Sequence, residues 1–299
     1  MKKAILYGIL SSLFFAFTFI LNRSMNLSGG YWMWSASLRY IFTLPMMFLL
    51  VAPGHKVRGV LADMKKQPFV WLLWSTVGFG LFYLPLTLAS VFGESWLVAA
   101  SWQITIVAGV LLTPLFGKRI PVKQLLMSLV ILAGIFLLQV PNLSAQGIGK
   151  NALALLPILI AAFSYPLGNR KMMQHCPAEM DTNQRVFGMT LASMPFWIVT
   201  AVIAGVRSGM PGSGQLIQSL GVALFSGVIA TVLFFHATDL VRDNQRQLAV
   251  VEATQCGEVI FTLLGGILLL NDRVPDVLGF LGIGLIVAGM ILNSLLSAE

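Results

Sequence analysis

Apolar residues run along this chain in ten long stretches, at roughly 4–22, 31–51, 68–90, 95–116, 122–140, 151–169, 185–205, 216–239, 247–270 and 276–296. A helix needs about 20 mostly apolar residues to cross a hydrocarbon core of about 30 Å, so each stretch predicts one membrane span. The runs are continuous rather than alternating, and a barrel strand would need only about 9–11 residues, so strands are excluded. The breaks carry turn chemistry or charge: Ser28-Gly29-Gly30, Pro53-Gly54-His55-Lys56, Gly117-Lys118-Arg119, Pro141-Asn142 and Pro211-Gly212-Ser213-Gly214. None is long enough for a soluble domain. The predicted class is an all-α polytopic membrane protein.

Composition narrows this further. Of 299 residues, 57% are hydrophobic and only 10% charged, against about 25% charged in a soluble domain. The net charge of +8 is a topology signal in such a chain, and no nucleic-acid partner is expected. With the N-terminus inside, the inner segments hold Lys2, Lys3, Lys56, Arg58, Lys65, Lys66, Lys118, Arg119, Lys123, Arg170, Lys171, Arg185, Arg242 and Arg246, while the outer loops hold only Arg23, Lys150, Arg207 and Arg273. That bias predicts both termini on the cytoplasmic side of the plasma (inner) membrane. Met1-Lys2-Lys3 followed by apolar sequence suggests a signal peptide, but no A-x-A-like cleavage site follows, so it is read as an uncleaved first span. Cys176 and Cys256 do not make a disulfide framework.

The two halves echo each other. Asn22-Arg23-Ser24-Met25 at the end of span 1 matches Asn169-Arg170-Lys171-Met172 at the end of span 6. Arg39 and Pro45 of span 2 match Arg185 and Pro195 of span 7. Gln103 and then Lys118-Arg119-Ile120-Pro121 match Gln255 and then Asp272-Arg273-Val274-Pro275, and Ala133-Gly134 matches Ala288-Gly289. Two repeats are expected, 1–145 and 146–299, with five spans each. Five is odd, so the second copy enters from the opposite side. The turn Gly117–Lys123 is basic and inside; its counterpart Asn271–Val277 is acidic and outside. Inverted repeats of this kind are built for transport around a shared midplane site.

On Leu38-Arg39-Tyr40 and Gln184-Arg185-Val186, the R-x-P turns at Arg119/Pro121 and Arg273/Pro275, and Gly134 and Gly289, the chain resembles the drug/metabolite transporter superfamily over essentially its whole length. It is most similar to the ten-helix EamA-like members, including the multidrug resistance efflux transporters. The resemblance implies two packed five-helix halves, a central cavity lined mainly by the first four helices of each half, and export of small molecules. In the four-helix small multidrug resistance relatives the essential Glu lies in the first helix; span 1 here has no acid, so their proton mechanism does not carry over residue by residue.

Ionisable groups within hydrocarbon are costly and mark function by default. Glu258 lies 11 residues into span 9, about 16 Å from the inner end, with Gln255 and Glu252 one and two turns shallower. Burial disfavours the charged form of a carboxyl, and such a group can take a proton from one side and release it to the other. Glu258, with Glu252 nearer the interface, is the candidate for proton coupling, the alternative being a packing residue. Gln103, Trp102, Gln255, Arg39 and Tyr83 are the candidate substrate-binding residues. Arg39 could hold an anionic solute, or pair with Glu258 or Glu94. His236, Asp239 and Arg242 read as a salt-bridged helix end or a gate. Tyr31, Trp32, Trp34, Trp71 and Trp96 read as membrane-interface anchors, and the span 10 glycines Gly279, Gly282, Gly284 and Gly289 as close helix contacts.

No P-loop, H-E-x-x-H, C-x-x-C or G-x-S-x-G motif is present, and His55, His175 and His236 offer few metal ligands. No cofactor, metal or enzymatic activity is expected. The partners are a small solute, protons and lipid, with monomer or homodimer both open. The expected function is proton-coupled export of a small organic solute by alternating access; an uncoupled amino-acid or metabolite facilitator and, from another class, a non-transporting scaffold are the alternatives.

Overall fold

The computed structural model describes the backbone of residues 1–53, 56–117, 119–177, 179–241 and 244–296, and the side chains of all of these except 142–154, 239, 245–246, 248–249 and 296. The described secondary structure is helical throughout. The elements are α1 (Lys2–Leu27), α2 (Trp32–Val51), α3 (Lys56–Lys66), α4 (Pro68–Phe92), α5 (Ser95–Leu111), α6 (Val122–His175), α7 (Thr182–Ala192), α8 (Met194–Ser208), α9 (Ser213–Thr238), α10 (Gln245–Ala253), α11 (Gly257–Leu270) and α12 (Val277–Leu296). Among the described residues, seven helical runs are long and apolar enough to cross a bilayer, or eight if α7 and α8, bent by 45° at Ser193, act as one. The bend falls where Pro195 enters the first turn of α8, a position that tolerates its missing N–H. At 17 residues, α5 is shorter than a full span.

The backbone stays helical through Pro141-Asn142, from Val122 to His175, 54 residues, although the chain reverses direction within this stretch. A straight helix of that length would reach about 81 Å, and the packing excludes it. Arg170 and Lys171 sit 5.8 and 5.1 Å from the Phe116 ring, and Phe116 closely precedes Val122. On a straight helix Val122 and Lys171 would be about 73 Å apart. Gln139 donates to the Ser101 hydroxyl (3.0 Å) while Thr105, one turn along, donates to Ala162 O (3.1 Å). Thus α6 doubles back between Gln139 and Ala162, and its two arms pack antiparallel against α5.

Departures from regular helix recur at matching positions. π-helical turns occupy Thr76–Gly80 in α4 and Ala223–Ala230 in α9. Gln103 interrupts α5, and a 3₁₀ turn at Thr254–Cys256 separates α10 from α11. Gly117 (φ 72°) and Asn271 (φ 54°) both close their helices in the left-handed conformation, which glycine enters freely and asparagine more readily than most residues. Where α6 crosses α12, Gly134 lies against Gly282 and Ile286, and Gly289 against Ile131.

The α3 helix occupies a stretch the apolar pattern read only as a break. Its Val60 is buried, and it docks on α7, where Gln184 donates to Lys56 O (3.0 Å) and Lys56 pairs with Asp181 (2.7 Å). Asp181 also closes a capping box with Gln184. Partial burial works against ionisation of this carboxyl, but the Lys56 bond and the amide donors of Gln184 and Asn183 outweigh it and hold it below the usual range. This contribution is present at neutral pH and is lost only as pH falls through that lowered value.

Three of the five expected interface anchors lie inside the protein. Trp71 is fully buried and donates to Asp63 (2.8 Å); Trp34 donates to Gly209 O and Trp96 to Arg273 O, both at 2.9 Å. A buried indole N–H needs an acceptor, and each finds one on a neighbouring segment rather than at a lipid headgroup. Of the span 10 glycines, Gly282 and Gly289 make the close crossing, whereas Gly284 has open space around it.

Candidate functional site

A cavity of about 510 Å³ lies at the centre of the bundle, within the range of small-molecule sites. It is bounded by both halves: Thr18 of α1, Arg39 and Tyr40 of α2, Phe79 and Phe82 of α4, Trp102 and Gln103 of α5, Tyr165 and Asn169 of α6, Arg185 of α7, Ser226 and Phe235 of α9, and Glu252, Gln255 and Glu258 around the α10–α11 turn. Six of the seven site residues expected from sequence line it together. The seventh, Tyr83, is fully buried behind Arg39.

Arg39 is 8% exposed. Its Nη1 donates to Thr18 (3.3 Å) and its Nη2 to Ser226 (3.2 Å), and the guanidinium lies 4.1 Å from the Tyr83 ring centroid. Tyr83 is fixed in turn by Asn22, whose amide donates to it (2.9 Å). Tyr40 stacks on Trp197 at 4.4 Å and 9°, joining α2 to α8. The ion pairs among the described residues are Arg23–Asp272, Lys56–Asp181 and His175–Asp63, so neither expected pairing of Arg39, with Glu258 or with Glu94, is formed. The guanidinium is held by hydroxyls and rings while one side faces the cavity.

Glu258 begins α11 and is half-buried against the cavity. Gln103, at the break in α5, and Arg39 line the same cavity as Glu258, with the Gln103 amide donating to Ala99 O (3.2 Å). Glu252 lines the cavity and is exposed. Trp102 packs against Phe82 (5.0 Å) and Tyr165 (5.8 Å), forming an aromatic wall. Thr18, Ser226 and Tyr165 were not singled out from sequence: hydroxyls inside apolar runs carry no pattern of their own. The Asp239 side chain and Arg242 lie outside what the structure describes; His236 packs on Tyr7 at 5.2 Å.

The cavity reaches the end of the bundle that carries the chain termini, where Asn169, Arg185 and Asn293 line it. The opposite end is tied shut. The Asp272 carboxylate accepts from the Ser95 N–H (2.8 Å) and hydroxyl (2.5 Å) and pairs with Arg23 at 3.7 Å. Beside it, Gln215 donates to Tyr31 O (2.8 Å) and Ser35 (2.9 Å).

Apolar helices of bilayer length around a solute-sized, partly polar chamber define a multi-pass membrane protein with an internal binding site. A family model described as "EmrE: Putative multidrug resistance efflux transporter" matches residues 2–299. The chain belongs to this family of small-solute efflux transporters. It is 51% identical over 308 residues to "Uncharacterized protein YjlA" of Bacillus subtilis (strain 168), covering 99% of this chain and 95% of that protein. It is 45% identical over 267 residues to "Uncharacterized 42.1 kDa protein in intracellular alkaline protease 3'region" of Shouchella clausii, covering 86% and 70%. A solved crystal structure shares the fold with a TM-score of 0.63 at 15% identity, covering 99% of this chain and 98% of that one.

Proposed function

We propose that this protein exports a small organic solute across the plasma membrane by alternating access, with the proton gradient coupled through Glu258. The observation that carries the reading is the placement of Glu258 on a central cavity that Gln103 and Arg39 also line, free of any ion pair among the described residues. A carboxyl that faces a cavity and has no ion-pair partner among the described residues is available to exchange a proton for a solute. Glu252, exposed at the cavity mouth, is the relay to the open side.

Ten passes in two inverted repeats, 1–145 and 146–299, fit the paired π turns, the paired breaks at Gln103 and Gln255, the paired left-handed caps at Gly117 and Asn271, and the reciprocal contacts of Gly134 with Ile286 and Gly289 with Ile131. The antiparallel arms of α6 serve as the fifth and sixth passes. With the basic loops inside, the open end of the cavity is cytoplasmic and the Asp272 cluster is the closed outer gate. Gln103, Trp102, Gln255 and Arg39 hold the solute, and Tyr83 holds Arg39. A single chain contains the whole cavity, so a monomer suffices, with a homodimer left to experiment.

The test is solute accumulation in proteoliposomes under an imposed pH gradient. Accumulation against the solute's own gradient, collapsing when a protonophore is added, is the expected result. Equilibration without accumulation makes the protein a facilitator, and no flux for any solute makes it a scaffold.

A further inference from the structure

We propose that α3 is a binding surface for anionic phospholipid of the cytoplasmic leaflet, with headgroup phosphates held by Arg58, Lys65 and Lys66 while Leu61 and Phe69 enter the acyl boundary. This goes beyond the transport reading and uses only its orientation of the chain. The helix is seated in one orientation. Val57, Val60 and Met64 pack into the main core, and Gly188 of α7 lies so close to Val60 and the Trp71 ring that a Cβ would not fit. Two of its charged groups are already engaged, Lys56 with Asp181 (2.7 Å) and Asp63 with the Trp71 indole (2.8 Å). The other side of the helix presents Arg58, Leu61, Ala62 and Lys65, all exposed. Their i, i+3, i+4, i+7 spacing makes them one stripe, and Lys66 stands beside it.

The height of the stripe decides what it meets. Only Gln67 separates α3 from α4, and Phe69, in the first turn of the spanning helix, is 72% exposed, with Leu72 and Leu73 exposed after it. Three residues of chain reach at most about 11 Å, so the lipid-facing belt of α4 begins beside the end of α3. The helix therefore lies in the headgroup layer. Arg58, Lys65 and Lys66 form no ion pair among the described residues. A basic helix with apolar side chains on the same face binds such a layer by apolar burial together with attraction to anionic lipid. An acidic protein would match the three cations but could not cover Phe69 at bilayer height. Because Lys56 also ties α3 to α7, through Asp181 and through its carbonyl to Gln184 (3.0 Å), lipid held on the stripe stabilises that docking as well.

A bimane label on Ala62→Cys, in a Cys176→Ser/Cys256→Ser background, reports the lipid beside the stripe in nanodiscs. Its quenching is compared between phosphatidylcholine discs that carry the same small fraction of brominated phosphatidylglycerol or of brominated phosphatidylcholine. Preference for the anionic lipid is expected on the order of 5- to 100-fold, the range for one to three engaged cations. It should fall towards one in the triple variant Arg58→Gln/Lys65→Gln/Lys66→Gln and in salt of about 1 M. The unlabelled chain with its own cysteines gives a second readout, and decides alone if the cysteine-free background does not fold. Its melting temperature should rise with phosphatidylglycerol content, and that of the triple variant should not. Equal quenching by the two lipids overturns the inference, as does a preference that survives the triple variant. An equal rise in melting temperature for both chains overturns it too, since the lipid would then be held elsewhere. Neither readout involves a solute, so a failure here leaves the transport reading untouched, and a failure of transport leaves this surface standing.

Discussion

Asp272 has a side chain only 2% exposed, yet it accepts two bonds from Ser95 and pairs with Arg23. Replacing it with Ala strands a buried N–H and a hydroxyl, so Asp272→Ala should lower stability by about 1–3 kcal/mol in thermal melts of detergent-purified protein. Arg23→Ala should cost less, since Arg23 is the more exposed partner at 3.7 Å. The double variant should fall short of the sum, because both act on one network; full additivity would mean the two sides are not coupled. Cys176 offers a second test. Burial, only partly opposed by Arg185, pushes its thiol up to about 11, so little thiolate exists at neutral pH. Maleimide labelling of Cys176 in a Cys256→Ser background should be slow at pH 7 and quicken steeply toward pH 10; fast labelling at pH 7 would contradict that environment. The sequence shows where Glu258 and Arg39 are, because charge inside an apolar run stands out. It does not show their partners. Thr18, Ser226 and Tyr165 are ordinary hydroxyl residues on distant helices, and only folding brings Ser226 to Arg39.

The glycines at the α6–α12 crossing are where helices are pressed most closely. A Cβ on Gly134 would stand 2.6 Å from Gly282 O and 2.8 Å from the Ile286 side chain, so Gly134→Leu must force the helices apart, costing about 1–3 kcal/mol. Gly284 has nothing within 4 Å, and Gly284→Ala should melt like the wild type. Equal behaviour of the two variants would remove the crossing as a determinant. At this scale the apolar periods read well: α1, α2, α4, α9 and α12 fall where the runs predict, because length and hydrophobicity decide a membrane helix. The reversal that Pro141-Asn142 suggests falls within Gln139–Ala162, but the helical backbone carries through it, since proline can bend a helix without ending it. The α3 helix escaped because an 11-residue amphipathic piece with four basic residues is indistinguishable from a polar break until α7 covers its apolar side. The tryptophans misled for a related reason: an aromatic near a span end is equally suited to the lipid interface and to a backbone carbonyl, and Trp71, Trp34 and Trp96 take protein acceptors.

Across the whole molecule, a chamber reaches one end of the bundle while hydrogen bonds and an ion pair tie the other. In the proposed cycle the tie breaks as the chamber closes behind the solute, and Glu258 is the group proposed to make that depend on a proton. The most direct measurement is solute-evoked current on a solid-supported membrane, wild type against Glu258→Gln, across pH 6 to 8, with cationic, zwitterionic and anionic solutes. Coupling through Glu258 predicts a pH-dependent current in the wild type that disappears in Glu258→Gln while solute binding by neutral contacts persists. A current of the same size and pH dependence in Glu258→Gln would contradict it.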